Sequence, residues 1–258
     1  MLQIFTFHIL FLLSGFVLES ERNTDAKDFI VDELSNVYLI HDTYIERFNA
    51  VGNNSFRTSD LIFGNIDYFD ITNPLKPFIH YRNNGQIVMF DNTLSQQGSP
   101  IDVYAMGFGQ VELICGSRGD AYWLWDAANS ELIRVDQSFQ RLRSTGNLAV
   151  LLSKELHPMQ LFERGDFLYI RDEKHGILVF DIYGTYRTTI NIKTVSDIQV
   201  VDNEIIYEID GSLNILRKDW LTEDHLELPS KNSKRVYFAN QKLYLLQMDR
   251  LQIFGWRD

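Results

Sequence analysis

The feature that most constrains the fold of this chain is a β-hairpin unit that recurs along its length. Its clearest copy, residues 78–94, has two apolar runs on either side of the turn Arg82-Asn83-Asn84-Gly85. Asn-Gly between β-branched and aromatic runs is the strongest short-range hairpin signal, because both residues tolerate positive φ. Pro77 before the first run and the absence of a 3.6-residue period argue against a helix. We therefore interpret this segment as two antiparallel strands.

Five further segments share the pattern, at nearly constant spacing. Successive turn residues are 41, 43, 46, 38 and 39 positions apart. The six hairpin units are residues 36–50, 78–94, 121–139, 167–184, 204–220 and 242–256. A period of about 40 residues built only from strands is typical of a propeller with four-stranded blades.

Shorter runs around each hairpin complete the predicted blades. An apolar run before each hairpin predicts the inner strand, and a more polar run after most of them predicts the outer strand. The sequence thus predicts an all-β fold, a six-bladed β-propeller of mostly four-stranded antiparallel blades over residues 28–258. The sixth unit ends at Asp258, and residues 19–27 are poor strand formers. We therefore expect a last blade that is three-stranded or weakly closed.

A large aromatic residue recurs at one position of the hairpins. These residues are Tyr38, Trp123, Tyr169, Tyr207 and Tyr244. Because each blade packs both faces against its neighbours, and a large aromatic side chain buries about 150–250 Å², we expect them in the core rather than at a ligand site.

The hairpins also carry a repeated ending, an apolar strand closed by aspartate. It appears as Val88-Met89-Phe90-Asp91, Ile133-Arg134-Val135-Asp136 and Leu178-Val179-Phe180-Asp181. With these endings the chain resembles the six-bladed propellers of NHL-repeat and TolB-like architecture. Residues 64–95 are also similar to secreted Bacteroidetes propellers of unknown function. The resemblance implies export and supplies no activity, and the Trp-Asp, kelch and tryptophan-docking signatures are missing.

The N-terminal segment is the main departure from the repeat. Residues 1–18 are almost wholly apolar, and residues 19–28 are polar. We interpret residues 1–20 as a signal peptide or, alternatively, a membrane anchor; a misassigned start codon is a third explanation. The favoured interpretation predicts an exported protein, in the periplasm or cell envelope.

Composition limits the classes of partner. The chain has 258 residues and a formal charge of −11, which argues against nucleic acid, because nucleic acid favours a basic surface. Its single cysteine, Cys115, follows an apolar run and is predicted to lie on a buried strand without a nucleophilic role. We expect a monomer with a protein partner.

No local motif assigns a catalytic, cofactor-binding or metal-binding residue, and no cofactor is predicted. No two of the six histidines are three or four residues apart, so a local zinc motif is missing. His41, His80 and His175 fall in or beside predicted turns, where we expect solvated side chains. None of the serines lies in a Gly-x-Ser-x-Gly elbow.

The resemblance to six-bladed propellers implies one alternative chemistry. Some such propellers are lactonases or esterases, with a metal held on the channel axis by carboxylates and asparagines from several blades. Asp32, Asp70 and Asp197 are the candidates near a channel mouth in this chain. The simpler interpretation makes them turn and cap carboxylates.

Three functional hypotheses remain. The first is a non-catalytic binding or scaffold propeller in an exported compartment, because a rigid repeat fold carries no catalytic constellation here. The second is a metal-dependent hydrolase, lactonase- or esterase-like, with an axial metal. The third is a membrane-tethered propeller that assembles with envelope machinery.

Overall fold

The protein is a six-bladed β-propeller in which every blade has four antiparallel strands. This computed structural model describes residues 15–49, 55–59, 62–193, 196–201, 204–217, 222–230 and 233–257. Five blades take their strands consecutively from the sequence, and the sixth combines three C-terminal strands with the first strand of the described chain. The predicted fold class is confirmed.

The strands follow the predicted order of inner strand, hairpin and outer strand. Blade 1 contains β2 (Asp28–Val31), β3 (Val37–Ile40), β4 (Tyr44–Phe48) and β5 (Ser55–Ser59). Blade 2 contains β6 (Tyr68–Asp70), β7 (Phe78–Tyr81), β8 (Gln86–Phe90) and β9 (Gln96–Asp102). Blade 3 contains β10 (Val111–Ser117), β11 (Ala121–Asp126), β12 (Glu131–Val135) and β13 (Arg141–Ser144).

The second half repeats the pattern. Blade 4 contains β14 (Pro158–Arg164), β15 (Phe167–Asp172), β16 (Gly176–Asp181) and β17 (Tyr186–Ile190). Blade 5 contains β18 (Gln199–Val201), β19 (Glu204–Ile209), β20 (Ser212–Leu216) and β21 (Glu223–Glu227). Blade 6 contains β22 (Arg235–Ala239), β23 (Lys242–Leu246), β24 (Arg250–Arg257) and, as its outer strand, β1 (Gly15–Asn23).

The strand order defines two faces of the propeller. We call the face at which the inner strands begin the upper face; it carries the hairpin turns and the connections between blades. The lower face carries the loops that join inner strands to hairpins and hairpins to outer strands. A short helix, α1 (Leu148–Leu152), lies in the connection between blades 3 and 4 on the upper face.

The core consists of apolar layers between neighbouring blades. One layer packs Tyr38 and Ile45 of blade 1 against Phe69 and Val88 of blade 2, and similar layers follow around the ring. The five repeated aromatics are all buried, as predicted: Tyr38, Trp123, Tyr169, Tyr207 and Tyr244.

The last blade corrects the expectation of three strands or weak closure. Its outer strand β1 pairs antiparallel with β24 over eight register pairs, from Gly15 opposite Arg257 to Asn23 opposite Arg250. Residues 19–23 are poor strand formers in isolation, but β24 offers an unpaired edge that satisfies their backbone groups. The strand begins inside the segment interpreted as a signal peptide or anchor; residues 1–14 of that segment lie outside the described residues.

The repeated aspartates close identical five-residue loops on the lower face. The carboxylates of Asp91, Asp136 and Asp181 each accept hydrogen bonds from the backbone N–H groups two and four residues later, at 2.8–3.0 Å. The residue three positions after the aspartate has positive φ in each loop. This residue is Leu94 in blade 2 and Phe139 in blade 3, and both side chains are buried in the core. Positive φ is unfavourable for a residue with a side chain, so the backbone is strained at these two positions.

Blade 4 has the same loop but a glycine at the position with positive φ. Its left-handed position is Gly184, and a Cβ there would lie 3.1 Å from the ring of Trp123. Trp123 of blade 3 thus fills the volume that Leu94 and Phe139 fill in their own blades.

None of the helices in the described part of the chain has the length and apolar character of a membrane span.

Candidate functional site

The inner strands surround a central channel that continues between blades 5 and 6, where Leu213 and Trp256 line it, and the cavity as a whole has a volume of about 1990 Å³. Its lining includes Asp28 and Ile30 from blade 1 and Tyr68 and Asp70 from blade 2. Large concave features of this kind are where ligand sites are most often found in proteins.

At the upper end, an ion-pair belt connects four blades. Arg235 of blade 6 contacts Asp197, which precedes the inner strand of blade 5, and lies 3.2 Å from Asp28 of blade 1. Asp197 also pairs with Arg171 of blade 4, at 3.4 Å. We call Asp28, Arg171, Asp197 and Arg235 the upper belt.

The two carboxylates of the upper belt have pKa values that are shifted in opposite directions. Burial raises the pKa of Asp28, and Arg235 offsets this only in part. Burial acts in the same direction on Asp197, but Arg235 and Arg171 together lower its pKa below the usual value. The two carboxylates are therefore held by guanidinium groups of this chain, which gives them a structural role.

Two glutamines tie the inner strands of blades 4, 5 and 6 together. The Gln160 amide donates to Ile198 O at 3.0 Å and accepts from Ile198 N at 2.9 Å. Gln199 forms the same kind of pair with the next blade, donating to Phe238 O at 3.4 Å and accepting from Phe238 N at 2.9 Å. Both amides are thus occupied by backbone rather than offered to a ligand.

The lower end of the channel is crossed by an ion pair. Arg164 ends the inner strand of blade 4, and its Nη1 lies 3.2 Å from Glu33 Oε1 in the loop of blade 1. Blades 1 and 4 are opposite members of a six-membered ring, so this contact spans the channel mouth. Both side chains are more than half exposed, at 53% and 79%, and the pair is open to solvent.

The three candidate carboxylates all line the channel, but at different ends. Asp197 belongs to the upper belt. Asp32 and Asp70 lie at the lower ends of the inner strands of blades 1 and 2, where both are buried. Asp32 accepts from the N–H groups of its own loop and from Tyr38 Oη, and Asp70 accepts from Thr72 N and Gly116 N. The interpretation as turn and cap carboxylates describes Asp32 and Asp70.

No group of three or more His, Cys, Asp or Glu side chains that could hold a metal occurs among the residues that the structure describes.

Cys115 lies on β10 and is fully buried, as predicted. Burial raises the pKa of its thiol well above the usual value, which keeps the sulfur protonated and unreactive.

Two of the three histidines expected to be solvated are buried. His80 is fully buried on β7, and His41 is 7% exposed, with its ring stacked on Tyr44 at 4.0 Å between centroids. His175 is partly exposed in the turn of blade 4, as expected. The prediction was wrong for His80 and His41 because a position near a turn does not reveal how much of the surrounding chain covers the side chain.

The sequence did not single out an uncharged surface on the upper face. It is formed by residues 103–110, 127–130 and 145–153, none of which is charged in a chain of net charge −11. We call these three stretches the uncharged patch. A scan for charge-free stretches could have found them, but only the fold shows that they are adjacent.

Backbone hydrogen bonds make the uncharged patch continuous. Ala127 N donates to Gln110 O at 2.8 Å, which joins the turn of blade 3 to the connection from blade 2. Leu148 N donates to Ser130 O at 2.8 Å, which joins the same turn to the connection that holds α1.

The uncharged patch exposes large apolar side chains. Tyr104 and Met106 are 47% and 45% exposed, and Val150 and Leu151 on α1 are 76% and 63% exposed. The Asn147 side chain caps α1 by accepting from Val150 N at 2.9 Å and holds the helix to blade 3 by donating to Asn129 O at 2.9 Å. These exposed side chains are therefore carried by a fixed scaffold.

Comparisons with known proteins support the fold class and leave the activity open. No family model matches the chain, and no curated protein matches it either. Solved structures do match it as propellers. A chain of the mitotic checkpoint complex aligns at 9% identity over 96% of this chain and 94% of its own, with a TM-score of 0.68.

Two further matches have quite different roles. A streptogramin B lyase aligns at 12% identity over 89% of this chain and 78% of its own, with a TM-score of 0.60. The extracellular domain of a putative one-component system from B. thetaiotaomicron aligns at 15% identity over 89% of this chain and 33% of its own, with a TM-score of 0.57. At these identities the likeness establishes the propeller fold alone, which agrees with the resemblance to Bacteroidetes propellers.

Proposed function

We propose that this propeller is a non-catalytic binding module that acts in an exported compartment and contacts a protein partner through the uncharged patch. The observation that carries the proposal is the exposure of Tyr104, Met106, Val150 and Leu151 on one continuous surface. Its three stretches contain no charged residue, and the one guanidinium over them, that of Arg141 above Phe108, is paired with Glu131. Soluble proteins seldom expose such surfaces unless another molecule covers them.

The charges of the chain favour a different protein over a second copy. Two copies, each with a net charge of −11, repel one another, whereas the uncharged patch itself sets no charge requirement on the partner's contact surface. The expected partner therefore presents an apolar surface of its own. The apolar N-terminal segment and the likeness to an extracellular domain support the exported location.

The test is capture of the partner by purified chain from the envelope fraction of the source cells. The double variant Val150→Asp, Leu151→Asp places two carboxylates on α1. Because burying one leucine contributes about 1.5–3 kcal/mol, we expect it to weaken capture at least about tenfold. The matched control is Leu75→Asp, which alters a side chain of 66% exposure on the lower face and should leave capture unchanged.

Unfolding curves of both variants check that the fold is intact, since exposed substitutions usually change the free energy of unfolding by less than about 0.5 kcal/mol. Equal capture by wild type and the double variant would overturn the proposed surface. Loss of capture by Leu75→Asp alone would place the interface on the lower face instead.

A further inference from the structure

Among the residues that the structure describes, the apolar layer between blades 5 and 6 is the least filled of the six layers between neighbouring blades. It contains seven buried residues, whereas the other five layers contain ten to twelve. It also contains five apolar side chains that are only partly buried, against one to three in each of the other layers. The described side chains therefore leave apolar surface uncovered between these two blades.

The uncovered surface lines the branch of the channel cavity that lies between blades 5 and 6. Leu213 and Ile215 of β20 and Leu226 of β21 line this branch from blade 5, and Phe238 of β22 and Trp256 of β24 line it from blade 6. Because apolar side chains form both walls, a hydrocarbon ligand gains more than a polar one by leaving water and entering the branch.

The side chain of Gln199 fixes the spacing of the two walls at the channel end of the branch. It joins the inner strand of blade 5 to that of blade 6 by accepting from Phe238 N at 2.9 Å and donating to Phe238 O at 3.4 Å. Facing sheets pack about 10 Å apart, and a helix with its side chains is about 10–12 Å wide. The branch therefore has room for a single extended chain rather than for a helix.

A smaller cavity of about 160 Å³ adjoins the branch at the upper face. Ile206, Leu213 and Lys234 line both cavities, so that the smaller cavity leads from the upper face to the apolar walls. A ligand that fills both cavities thus has one end at Lys234 and the other between the blades.

The charges of the smaller cavity favour an anionic group at this upper end. Its two carboxylates are already bound by groups of this chain, because Asp197 pairs with Arg235 and Glu208 accepts from Ser196 Oγ at 2.8 Å. Lys234 also lines the cavity, and it forms no ion pair with any of the described residues. Its ammonium group is therefore the cation that an anionic ligand would meet.

We propose that the space between blades 5 and 6 binds an amphiphile with one unbranched hydrocarbon chain and an anionic head, such as a fatty-acid carboxylate. The chain lies between Leu213, Leu226 and Trp256, and the head lies at Lys234 on the upper face. This site is separate from the uncharged patch, and it does not depend on the protein partner of the proposed function.

The test is isothermal titration calorimetry of the purified protein with decanoate, below the concentration at which decanoate forms micelles. We expect one binding site per chain. Butanoate has the same head and should bind at least about 100-fold more weakly, because each buried methylene contributes about fourfold to affinity. Absence of decanoate binding, or equal binding of butanoate, overturns the proposal.

A substitution in the branch tests the placement of the hydrocarbon chain. Leu226→Gln puts a polar amide on one apolar wall and should weaken decanoate binding about tenfold or more. The matched control is Leu142→Gln, which alters a side chain of 53% exposure on the outer strand of blade 3 and should leave binding unchanged. Unfolding curves of both variants check the fold. Wild-type affinity in Leu226→Gln would contradict this placement.

A second substitution tests the placement of the anionic head. Lys234→Gln removes the cation and keeps the apolar walls, so it should weaken decanoate binding about tenfold and leave the binding of decanol unchanged. A general loss of structure would weaken both ligands alike. Lys174→Gln is the matched control, because Lys174 is an exposed upper-face lysine outside both cavities. Equal decanoate affinity of wild type and Lys234→Gln would show that the head is not at Lys234.

The double variant Val150→Asp, Leu151→Asp distinguishes this site from the proposed protein interface. It should bind decanoate like the wild type, because neither residue lines the two cavities. Loss of decanoate binding in this variant would place the hydrocarbon chain on the uncharged patch and overturn the site between blades 5 and 6.

Discussion

At the scale of single residues, His80 lies in a buried environment that disfavours the charged form of its imidazole. Its side chain is fully buried on β7, and neither ring nitrogen has a hydrogen-bond partner within the described residues. Burial, with a smaller contribution from Arg82, lowers the pKa of His80 to about 4. The imidazole is therefore neutral in the folded protein at neutral pH.

This burial predicts a pH dependence of stability. Because the pKa of His80 is about 4 when folded and 6.5 when unfolded, the unfolded chain binds the proton more readily between these values. The free energy of unfolding should fall by about 3 kcal/mol as pH drops from about 6.5 to 4, and the His80→Leu variant should lose this component. Denaturant unfolding across this pH range measures the difference.

His175→Leu is the matched control for this measurement, since His175 lies in a partly exposed turn. It should keep the pH dependence of wild type. An identical pH profile for wild type and His80→Leu would contradict the assigned burial of His80.

Some features of single residues can be predicted from their neighbours in the sequence, and others cannot. The loops closed by Asp91, Asp136 and Asp181 follow from the sequence, because each carboxylate bonds to N–H groups only two and four residues away. The burial of His80 and His41 does not, because it depends on residues outside the local turn, such as Asp25, which lies 2.9 Å from His41 Nδ1.

At the scale of the element, β1 shows how a segment without strand propensity becomes a strand. Residues 19–23 are polar, yet their backbone completes the ladder with β24, and their side chains pair with Lys242, Arg250 and Glu46. Tertiary context outweighs local preference here, because an open edge costs more than the propensity of a few residues.

The contact between Phe16 and Trp256 offers a direct test of this closure. In a double-mutant cycle of Phe16→Ala and Trp256→Ala, we expect a coupling energy of about 0.5–1.5 kcal/mol, as measured for edge-to-face aromatic pairs. Thermal and denaturant unfolding of the four proteins gives the value.

The control cycle pairs Phe16→Ala with Phe139→Ala, which lies between blades 2 and 3. These changes should add to within about 0.5 kcal/mol. Additivity in the Phe16 and Trp256 cycle as well would mean that β1 does not close the blade.

At the scale of the whole molecule, the upper belt distributes one ion-pair system over blades 4, 5, 6 and 1. Arg235 and Asp197 are only 20% and 31% exposed, so neither is freely solvated when its partner is lost. Inner strands in a propeller contribute few backbone contacts across blades, and side chains such as these therefore hold adjacent blades in register.

We expect Arg235→Gln to lower the free energy of unfolding by about 2–3 kcal/mol, because it leaves Asp28 and Asp197 without their shared cation. Adding Asp28→Asn should recover part of this loss, because Arg235 is the ion-pair partner of Asp28, whereas Asp197 keeps its pair with Arg171. Denaturant unfolding of the two variants measures both effects.

Arg164→Gln is the matched control, because it breaks the exposed pair with Glu33 across the lower channel mouth. It should cost less than about 1 kcal/mol. Equal losses for Arg235→Gln and Arg164→Gln would contradict the structural role assigned to the upper belt.

The sequence by itself determined the repeat, the hairpins, the number of blades and the buried aromatics of this protein. These features depend on the spacing of the repeats, on the turn residues and on the apolar runs between them. Each of these signals lies within one repeat of about 40 residues and is therefore visible in the sequence. Tertiary structure alone decided the closure by β1, the burial of His80, the upper belt and the uncharged patch. The closure by β1 and the upper belt join residues far apart in the chain, which only the closing of the ring brings together. The burial of His80 and the uncharged patch depend on how neighbouring segments pack, which no local pattern records.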